Sequence, residues 1–173
     1  MEAVLAEADK LGTSELLQRW YALENGDIEI DCIGYELNER GEIVWTPGLT
    51  GKSAEVGRLL AAQLTGTLGG RAVQSVPVIT PDFGIRVFDV SWMPAEKWKD
   101  LVVGEPLPAV PDVCVFRVLP TSSSLDAEMR IRACLAGGAR EVAVVGLTGD
   151  VQYFGPKGLL NESALGLTLN VGT

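Results

Sequence analysis

The second half of the chain alternates short apolar runs with a helical segment, a pattern that predicts a strand–helix–strand unit. Residues 113–118 form a mostly apolar run, which is typical of a central strand. Residues 125–136 predict a helix that ends at Gly137 and Gly138, since glycine favours helix ends. Residues 141–147 form a second apolar run. Because such crossovers join parallel strands, we expect the two strands to lie parallel with the helix between them.

The first half of the chain has the pattern of a β-hairpin placed between two helices. Residues 27–37 begin by alternating polar and apolar side chains, which predicts a half-buried strand, and a turn leads to a partner strand over residues 42–46. A short helix capped by Thr13 or Ser14 precedes the hairpin. A longer helix capped by Ser53 follows it and has one apolar face.

The remaining segments complete a predicted α/β (α+β) fold, in which a mixed β-sheet is flanked by helices. Strands are expected at residues 73–79, 85–93, 151–154 and 167–171, and a short helix at residues 94–101. The length of 173 residues suits one domain, and 47% apolar residues suffice for a full core. The residues expected in that core are Leu60, Val113, Val115, Leu135, Val142 and Val144.

Composition and charge narrow the range of functions. The chain has no histidine, which excludes Ser-His-Asp triads, Cys-His dyads and histidine-ligated zinc sites. Its net charge is −9, whereas a nucleic-acid-binding protein typically has a basic surface. A nucleic-acid partner is therefore possible but is not supported by charge. Cys32, Cys114 and Cys134 have no metal-ligand spacing, and we expect free thiols. With no signal sequence and no membrane-spanning run, we expect a cytoplasmic protein that does not bind membranes.

Residues 46–53 look like a phosphate-binding loop between a strand and a helix. In that interpretation Lys52 reaches the outer phosphates and Ser53 holds Mg²⁺. However, Thr46 stands where the motif has its first glycine, the preceding strand belongs to an antiparallel hairpin, and no later strand ends in a suitable aspartate. A capped helix after a loop is the simpler interpretation, so we predict no cofactor-binding residues here and keep nucleotide binding as the weakest hypothesis.

Three segments of the second half carry a family likeness. They are GIRVFDVSWMP at residues 84–94, PDVCVFRV at 111–118 and LAGGAREV at 135–142, and the hairpin adds YEL at 35–37 and GEIV at 41–44. In this order they resemble the Uma-two restriction endonuclease family of the PD-(D/E)XK nuclease superfamily. The likeness runs from about residue 14 to about residue 154 and implies a single restriction-endonuclease-like domain over residues 1–173.

The resemblance also implies a metal-dependent phosphodiesterase site at a sheet edge, built from an aspartate, a glutamate and a lysine. Asp89 falls at the aspartate position, where it would be the metal ligand. Phe116 falls at the expected glutamate position, and Arg130 at the lysine position on the following helix. Cys134 stands where the family has a tyrosine, and Glu36 of the hairpin would supply an extra carboxylate.

Because two of the three central positions differ, the leading hypothesis is a PD-(D/E)XK-like protein that has lost catalysis and acts as a binding or regulatory module, with no cofactor. Phe116 cannot bind a metal, and Arg130 cannot lose a proton to act as a base. An ion pair between Asp89 and Arg130 would fill the former site. The alternative is an active Mg²⁺-dependent DNA endonuclease with an atypical site that uses Asp89, Glu36 or Asp112, and Arg130.

The resemblance further implies a homodimer, an assembly that is common among small cytosolic proteins. We expect light scattering at micromolar concentration to give twice the mass of the 18.4 kDa chain. A monomer mass across the micromolar range would contradict this prediction.

Overall fold

The computed structural model describes residues 10–26, 33–47, 51–102 and 104–172. The helices of this part are α1 (Thr13–Glu24), α2 (Gly51–Leu68), α3 (Ala95–Trp98) and α4 (Ser124–Ala136). Its strands are β1 (Ile33–Leu37), β2 (Ile43–Pro47), β3 (Arg71–Gln74), β4 (Pro77–Thr80), β5 (Gly84–Val87), β6 (Val90–Met93), β7 (Val113–Arg117), β8 (Glu141–Val145), β9 (Val151–Gly155) and β10 (Gly158–Leu160). The expected mixed α+β fold class is confirmed.

The strands divide into two sheets because two of the predicted strands bend and change sheet. Sheet A has the order β2-β1-β5-β4, and sheet B has the order β10-β9-β8-β7-β6-β3. The predicted strand at residues 73–79 becomes β3 and β4, which are separated at Ser75, a residue with a positive φ of 54°. The predicted strand at residues 85–93 becomes β5 and β6, separated at Asp89 and its preceding residue. The Ser75 N–H donates to the Asp89 carbonyl at 3.2 Å, so the two crossing points lie side by side.

The strand–helix–strand unit has the predicted geometry. Strands β7 and β8 are parallel, with Val113 opposite Glu141 and Arg117 opposite Val145. Helix α4 connects them, and the Ser123 side chain caps its first turn by accepting from the Asp126 N–H at 3.0 Å.

Sheet B has a separate hydrophobic core on each face, because neighbouring residues of a strand point to opposite sides. Cys114 and Phe116 of β7 face α4, whereas Val113 and Val115 face α2 and the C-terminal segment. Five of the six predicted core residues are buried: Leu60, Val113, Val115, Val142 and Val144. The prediction for Leu135 is wrong, since this side chain is only partly buried at the margin of the core formed with α4.

Sheet A is covered by α1, whose Leu16 and Trp20 pack on Leu37 and Ile85.

Some of the predicted helix and strand boundaries differ from those in the structure. The residue before α1 is Gly12, which provides no side-chain cap. Helix α2 begins at Gly51, before the predicted Ser53 cap, and the predicted strand at residues 167–171 is an irregular segment whose leucines are buried. The predicted strand residues 27–32, which include Cys32, lie outside the described part. No helix in the described part is both long and apolar enough to cross a membrane.

Two neighbouring leucines of α2 test the assignment of its buried face. Leu60 is fully buried, whereas Leu59 is 40% exposed. We expect Leu60→Ala to lower the free energy of unfolding by roughly 2–5 kcal/mol, because it leaves a cavity in the core. Leu59→Ala is the matched control and should cost less than about 1 kcal/mol. Urea denaturation of both variants measures the difference, and equal losses would show that α2 is rotated about its axis.

Candidate functional site

A cavity of about 630 Å³ opens where the chain crosses between the two sheets. Its described lining includes both crossing points, the end of β7, and parts of α1, β1 and α4. The predicted site residues Glu36, Asp89, Phe116 and Arg130 all line this cavity. The fold therefore brings together residues that are far apart in the sequence.

Glu36 has the most enclosed carboxylate of the cavity. It lies on β1 on the side opposite to Tyr35 and Leu37, and its side chain is 1% exposed. Its Oε2 accepts from the Val87 N–H at 2.7 Å and from Arg130 Nη1 at 2.8 Å. Its Oε1 accepts from Arg130 Nη2 and lies 3.6 Å from Arg86 Nη1. Both carboxylate oxygens are thus engaged by N–H donors.

Arg130 reaches Glu36 from α4 in a two-pronged pair, the strongest geometry for an arginine and a carboxylate. Its Nε donates to Asp126 Oδ2 at 2.8 Å, one helical turn earlier. Burial opposes the charged form, but the hydrogen bonds and charge attraction of Glu36 and Asp126 outweigh it and raise the pKa of Arg130. Burial lowers the pKa of Arg86, which donates to the Phe83 carbonyl at 2.7 Å. We call Glu36, Arg86, Asp126 and Arg130 the Glu36 network.

The predicted ion pair between Asp89 and Arg130 is absent from the described structure, because each residue has another partner. Asp89 Oδ2 accepts from the Arg117 backbone N–H at 2.7 Å. Its Oδ1 accepts from Arg117 Nε at 3.3 Å and Nη2 at 3.1 Å. Arg117 is the last residue of β7, beside the second crossing point, and therefore lies nearer to Asp89 in the fold.

Phe116 forms an apolar part of the cavity where the resemblance implies a carboxylate. Its side chain is 5% exposed, and its ring centroid lies 6.4 Å from that of Phe88. Asp112 is not among the lining residues. It precedes β7 at the end of the strand away from Arg117, and it accepts from Lys97 Nζ at 2.8 Å. Asp112 therefore does not replace the missing glutamate.

Helix α1 contributes a different kind of surface to the cavity. Trp20 and Glu24 are one turn apart on this helix, and the Tyr35 ring lies 5.0 Å from the Trp20 ring. The Tyr35 hydroxyl donates to Glu24. Burial, then this hydrogen bond and the nearby negative charge, raise the pKa of Tyr35, so its hydroxyl keeps its proton. We call Trp20, Glu24 and Tyr35 the α1 wall.

The described structure gives little support to the interpretation of residues 46–53 as a phosphate-binding loop. Strand β2 pairs antiparallel with β1, as expected for a hairpin and unlike the parallel strand of that motif. Thr46 and Ser53 line the cavity, whereas Lys52 is exposed and is not among the lining residues. The middle of the loop, residues 48–50, lies outside the described part.

Sequence reasoning missed three residues that determine the charge pattern of the site: Arg86, Arg117 and Asp126. Asp126 could have been found, because a carboxylate four residues before Arg130 shares its helix face. Arg86 and Arg117 each interrupt an apolar strand, which signals a buried or strand-end charge. Nothing in their positions along the chain indicates which carboxylate each one contacts.

Acidic side chains are not grouped as metal ligands in the described residues. No three of His, Cys, Asp and Glu there are arranged to hold a metal ion. Cys114 and Cys134 are buried free thiols. Desolvation raises the pKa of the Cys114 thiol, as does its hydrogen bond with Cys134, so it is held in its protonated form.

Comparison with known proteins gives a structural likeness. No protein-family model matches the chain, and no curated protein matches it. Among solved structures, a protein from Anabaena variabilis ATCC 29413, described as a "putative nuclease" belonging to DUF820, superposes with a TM-score of 0.66. The two sequences are 17% identical, and the match covers 88% of this chain and 94% of that one. The chain therefore has a nuclease-like fold.

Substitution of two arginines of α4 tests how much the Glu36 network contributes to the free energy of unfolding. Arg130 is 12% exposed at its side chain, whereas Arg132 is 68% exposed and pairs with Glu128 on the surface. We expect Arg130→Met to lower the free energy of unfolding by about 3–5 kcal/mol, since it leaves the buried Glu36 carboxylate without its main partner. Arg132→Met should cost less than about 1 kcal/mol. Similar losses in urea denaturation would contradict the central role of the network.

Proposed function

We propose that this chain is a nuclease-fold protein that does not cleave nucleic acid, and that its cavity serves as a binding site. One observation carries the proposal. Each of the two carboxylates expected to hold a metal has both oxygens occupied by N–H donors, Asp89 by Arg117 and Glu36 by Arg130 and Val87. The protein would then act as a binding or regulatory module.

The donor set does not fit the metal that the fold implies. Mg²⁺ in such sites is held by one or two carboxylates together with water and substrate phosphate. To bind Glu36 it would have to displace a two-pronged arginine from a buried carboxylate. Hydrogen bonds of charged groups contribute about 1.5–3 kcal/mol each, so this displacement is strongly opposed. Phe116 offers no replacement ligand, and we derive no metal-dependent step.

The charge of the cavity also disfavours a nucleic-acid backbone. Four carboxylates line it in the described part, from Glu24, Glu36, Asp89 and Asp126. Two arginines line it, and each is already paired with one or two of these acids. A polyanion gains affinity by placing phosphates beside unpaired basic groups, and the paired arginines weaken that gain.

An active Mg²⁺-dependent endonuclease with an atypical site is the second candidate. It is favoured by one observation, that Glu36 and Asp89 line the same cavity as Arg130. In this alternative Arg130 would swing away from Glu36 when the metal and the scissile phosphate bind, and would then stabilise the developing charge. Activity measurements separate the two candidates directly.

A nuclease assay on supercoiled and linear duplex DNA tests the proposal. With Mg²⁺ or Mn²⁺ we expect the wild type to cleave no faster than Asp89→Ala, because arginines already hold the carboxylates of Asp89 and Glu36. Calorimetry with Mn²⁺ should show no binding at sub-millimolar concentration. Metal-dependent cleavage by the wild type that disappears in Asp89→Ala would overturn the proposal and establish the second candidate.

A gain-of-binding variant provides the positive control. Phe116→Glu combined with Arg130→Lys restores the residue types implied by the family resemblance, and the lysine no longer holds Glu36 in a two-pronged pair. We expect Mn²⁺ affinity to rise before any cleavage appears. Unchanged Mn²⁺ affinity in a variant that retains its fold by circular dichroism would show that the paired carboxylates do not limit metal binding.

A further inference from the structure

Strands β1 and β5 separate at the cavity after a single residue pair. Leu37 lies opposite Ile85, and this antiparallel register would place Tyr35 opposite Val87. The pairing of β1 with β5 ends before that position in the described part, and the Val87 N–H donates to the Glu36 carboxylate instead. Tyr35 and Val87 both line the cavity. The cavity therefore extends into the gap between the two strands.

The direction of the backbone groups leaves one edge of β1 open at this gap. Just after β1, the Asn38 N–H donates to the Glu42 carbonyl at 3.0 Å, so the Asn38 backbone points toward β2. Since this direction alternates along a strand, the N–H and carbonyl groups of Ile33 and Tyr35 point away from β2, on the side of the gap. Strand β5 pairs with neither residue in the described part. Such an edge can hydrogen-bond to an added strand.

A strand added at this edge would place its successive side chains in two different surroundings, because side chains alternate between the faces of a sheet. One face is that of Tyr35 and carries the exposed Glu24 of the α1 wall. The other face is that of Glu36, where Asp126 of α4 lines the cavity and has a side chain that is 36% exposed. Each face therefore offers an accessible carboxylate.

Both of these carboxylates can accept further hydrogen bonds. Glu24 accepts one from the Tyr35 hydroxyl, and Asp126 accepts one from Arg130 Nε through Oδ2. A carboxylate has room for about four such bonds.

Charge decides which extended segment fits. Four carboxylates and two arginines line the cavity in the described part, and both arginines are already paired with these acids. The whole chain has a net charge of −9. An acidic peptide or a phosphate backbone would therefore meet repulsion, whereas basic side chains would be attracted.

We propose that the cavity binds an extended peptide segment with two adjacent basic residues, which adds as a strand to the open edge of β1. The backbone of the segment bonds to the N–H and carbonyl groups of Tyr35, as in other cases of strand addition to a sheet edge. One basic side chain reaches Glu24, and the next one reaches Asp126 on the opposite face. This inference rests on the proposed function, in which the cavity is a binding site, and it names the class of ligand.

Calorimetry in EDTA with the peptide acetyl-Thr-Val-Lys-Lys-Val-Thr-amide tests the inference without any metal. We expect this peptide to bind, and the same peptide with two glutamates in place of the lysines not to bind. N-methylation of the four central residues keeps the charge but removes the backbone donors, and it should abolish binding. Equal binding of the N-methylated peptide, tighter binding of an oligonucleotide, or no peptide binding at millimolar concentration would overturn the inference.

Amide hydrogen exchange locates the added strand. We expect the peptide to slow exchange of the Tyr35 amide, which points into the gap. The Glu36 amide is the matched control, because it points toward Val44 of β2 and should be unaffected. Trp45 lies opposite Tyr35 in the hairpin, so its amide points to the outer edge of β2. Slower exchange of Trp45 instead of Tyr35 would place the peptide on the wrong edge and overturn the inference.

Matched variants test the two carboxylates. Glu24→Gln and Asp126→Asn keep the shape of each side chain and remove its charge, and each should weaken peptide binding roughly two- to fivefold, the effect of one partly exposed ion pair. Glu15→Gln, on an exposed position of α1 outside the cavity, should leave the affinity unchanged. Unchanged affinity in either cavity variant that retains its fold by circular dichroism would overturn the inference.

The readouts separate this inference from the proposed function. Absence of peptide binding would overturn the inference, and a result of no metal-dependent cleavage would still stand. Conversely, metal-dependent DNA cleavage would overturn the proposed function, whereas peptide binding measured in EDTA does not depend on that result.

Discussion

The pairing of Arg130 with the buried carboxylate of Glu36 is the interaction on which the arrangement of the two sheets depends. Glu36 belongs to sheet A, and Arg130 belongs to the helix that covers one face of sheet B. A charge this deeply buried is tolerated only when it is paired and hydrogen-bonded. The pair therefore holds α4 and the hairpin in one relative position, and it fixes the shape of the cavity between them.

The same pairing limits the chemistry that the cavity can perform. Glu36 and Asp89 line the same cavity, and the family resemblance implies a metal-holding role for Asp89. Each of them is neutralised by an arginine from a neighbouring element, Arg130 or Arg117. A metal would need the same oxygen atoms that accept hydrogen bonds from Arg117, Arg130 and the Val87 N–H in this structure.

The cavity exists because two strands bend rather than run straight. At Ser75 and Asp89 the chain leaves one sheet for the other, and the hydrogen bond between these residues holds the bends together. The split separates sheet A from sheet B at this point, so α1 and α4 can both reach the opening. An aromatic surface from α1 and a charged surface from α4 thus line one cavity.

Local physical chemistry in the sequence determined the parallel β7–α4–β8 unit, the β1–β2 hairpin and most of the buried positions, because apolar periodicity and glycine or serine signals act over a few residues. The sequence also indicated which chemical groups gather at the site, through Glu36, Asp89, Phe116 and Arg130. Only the tertiary structure decided which of these groups touch. Arg130 lies 94 residues from Glu36, and its partner depends on where the strands bend and how α4 packs. Periodicity carries no information over that separation, so the expected Asp89 partner was wrong although an arginine–carboxylate pair does fill the site.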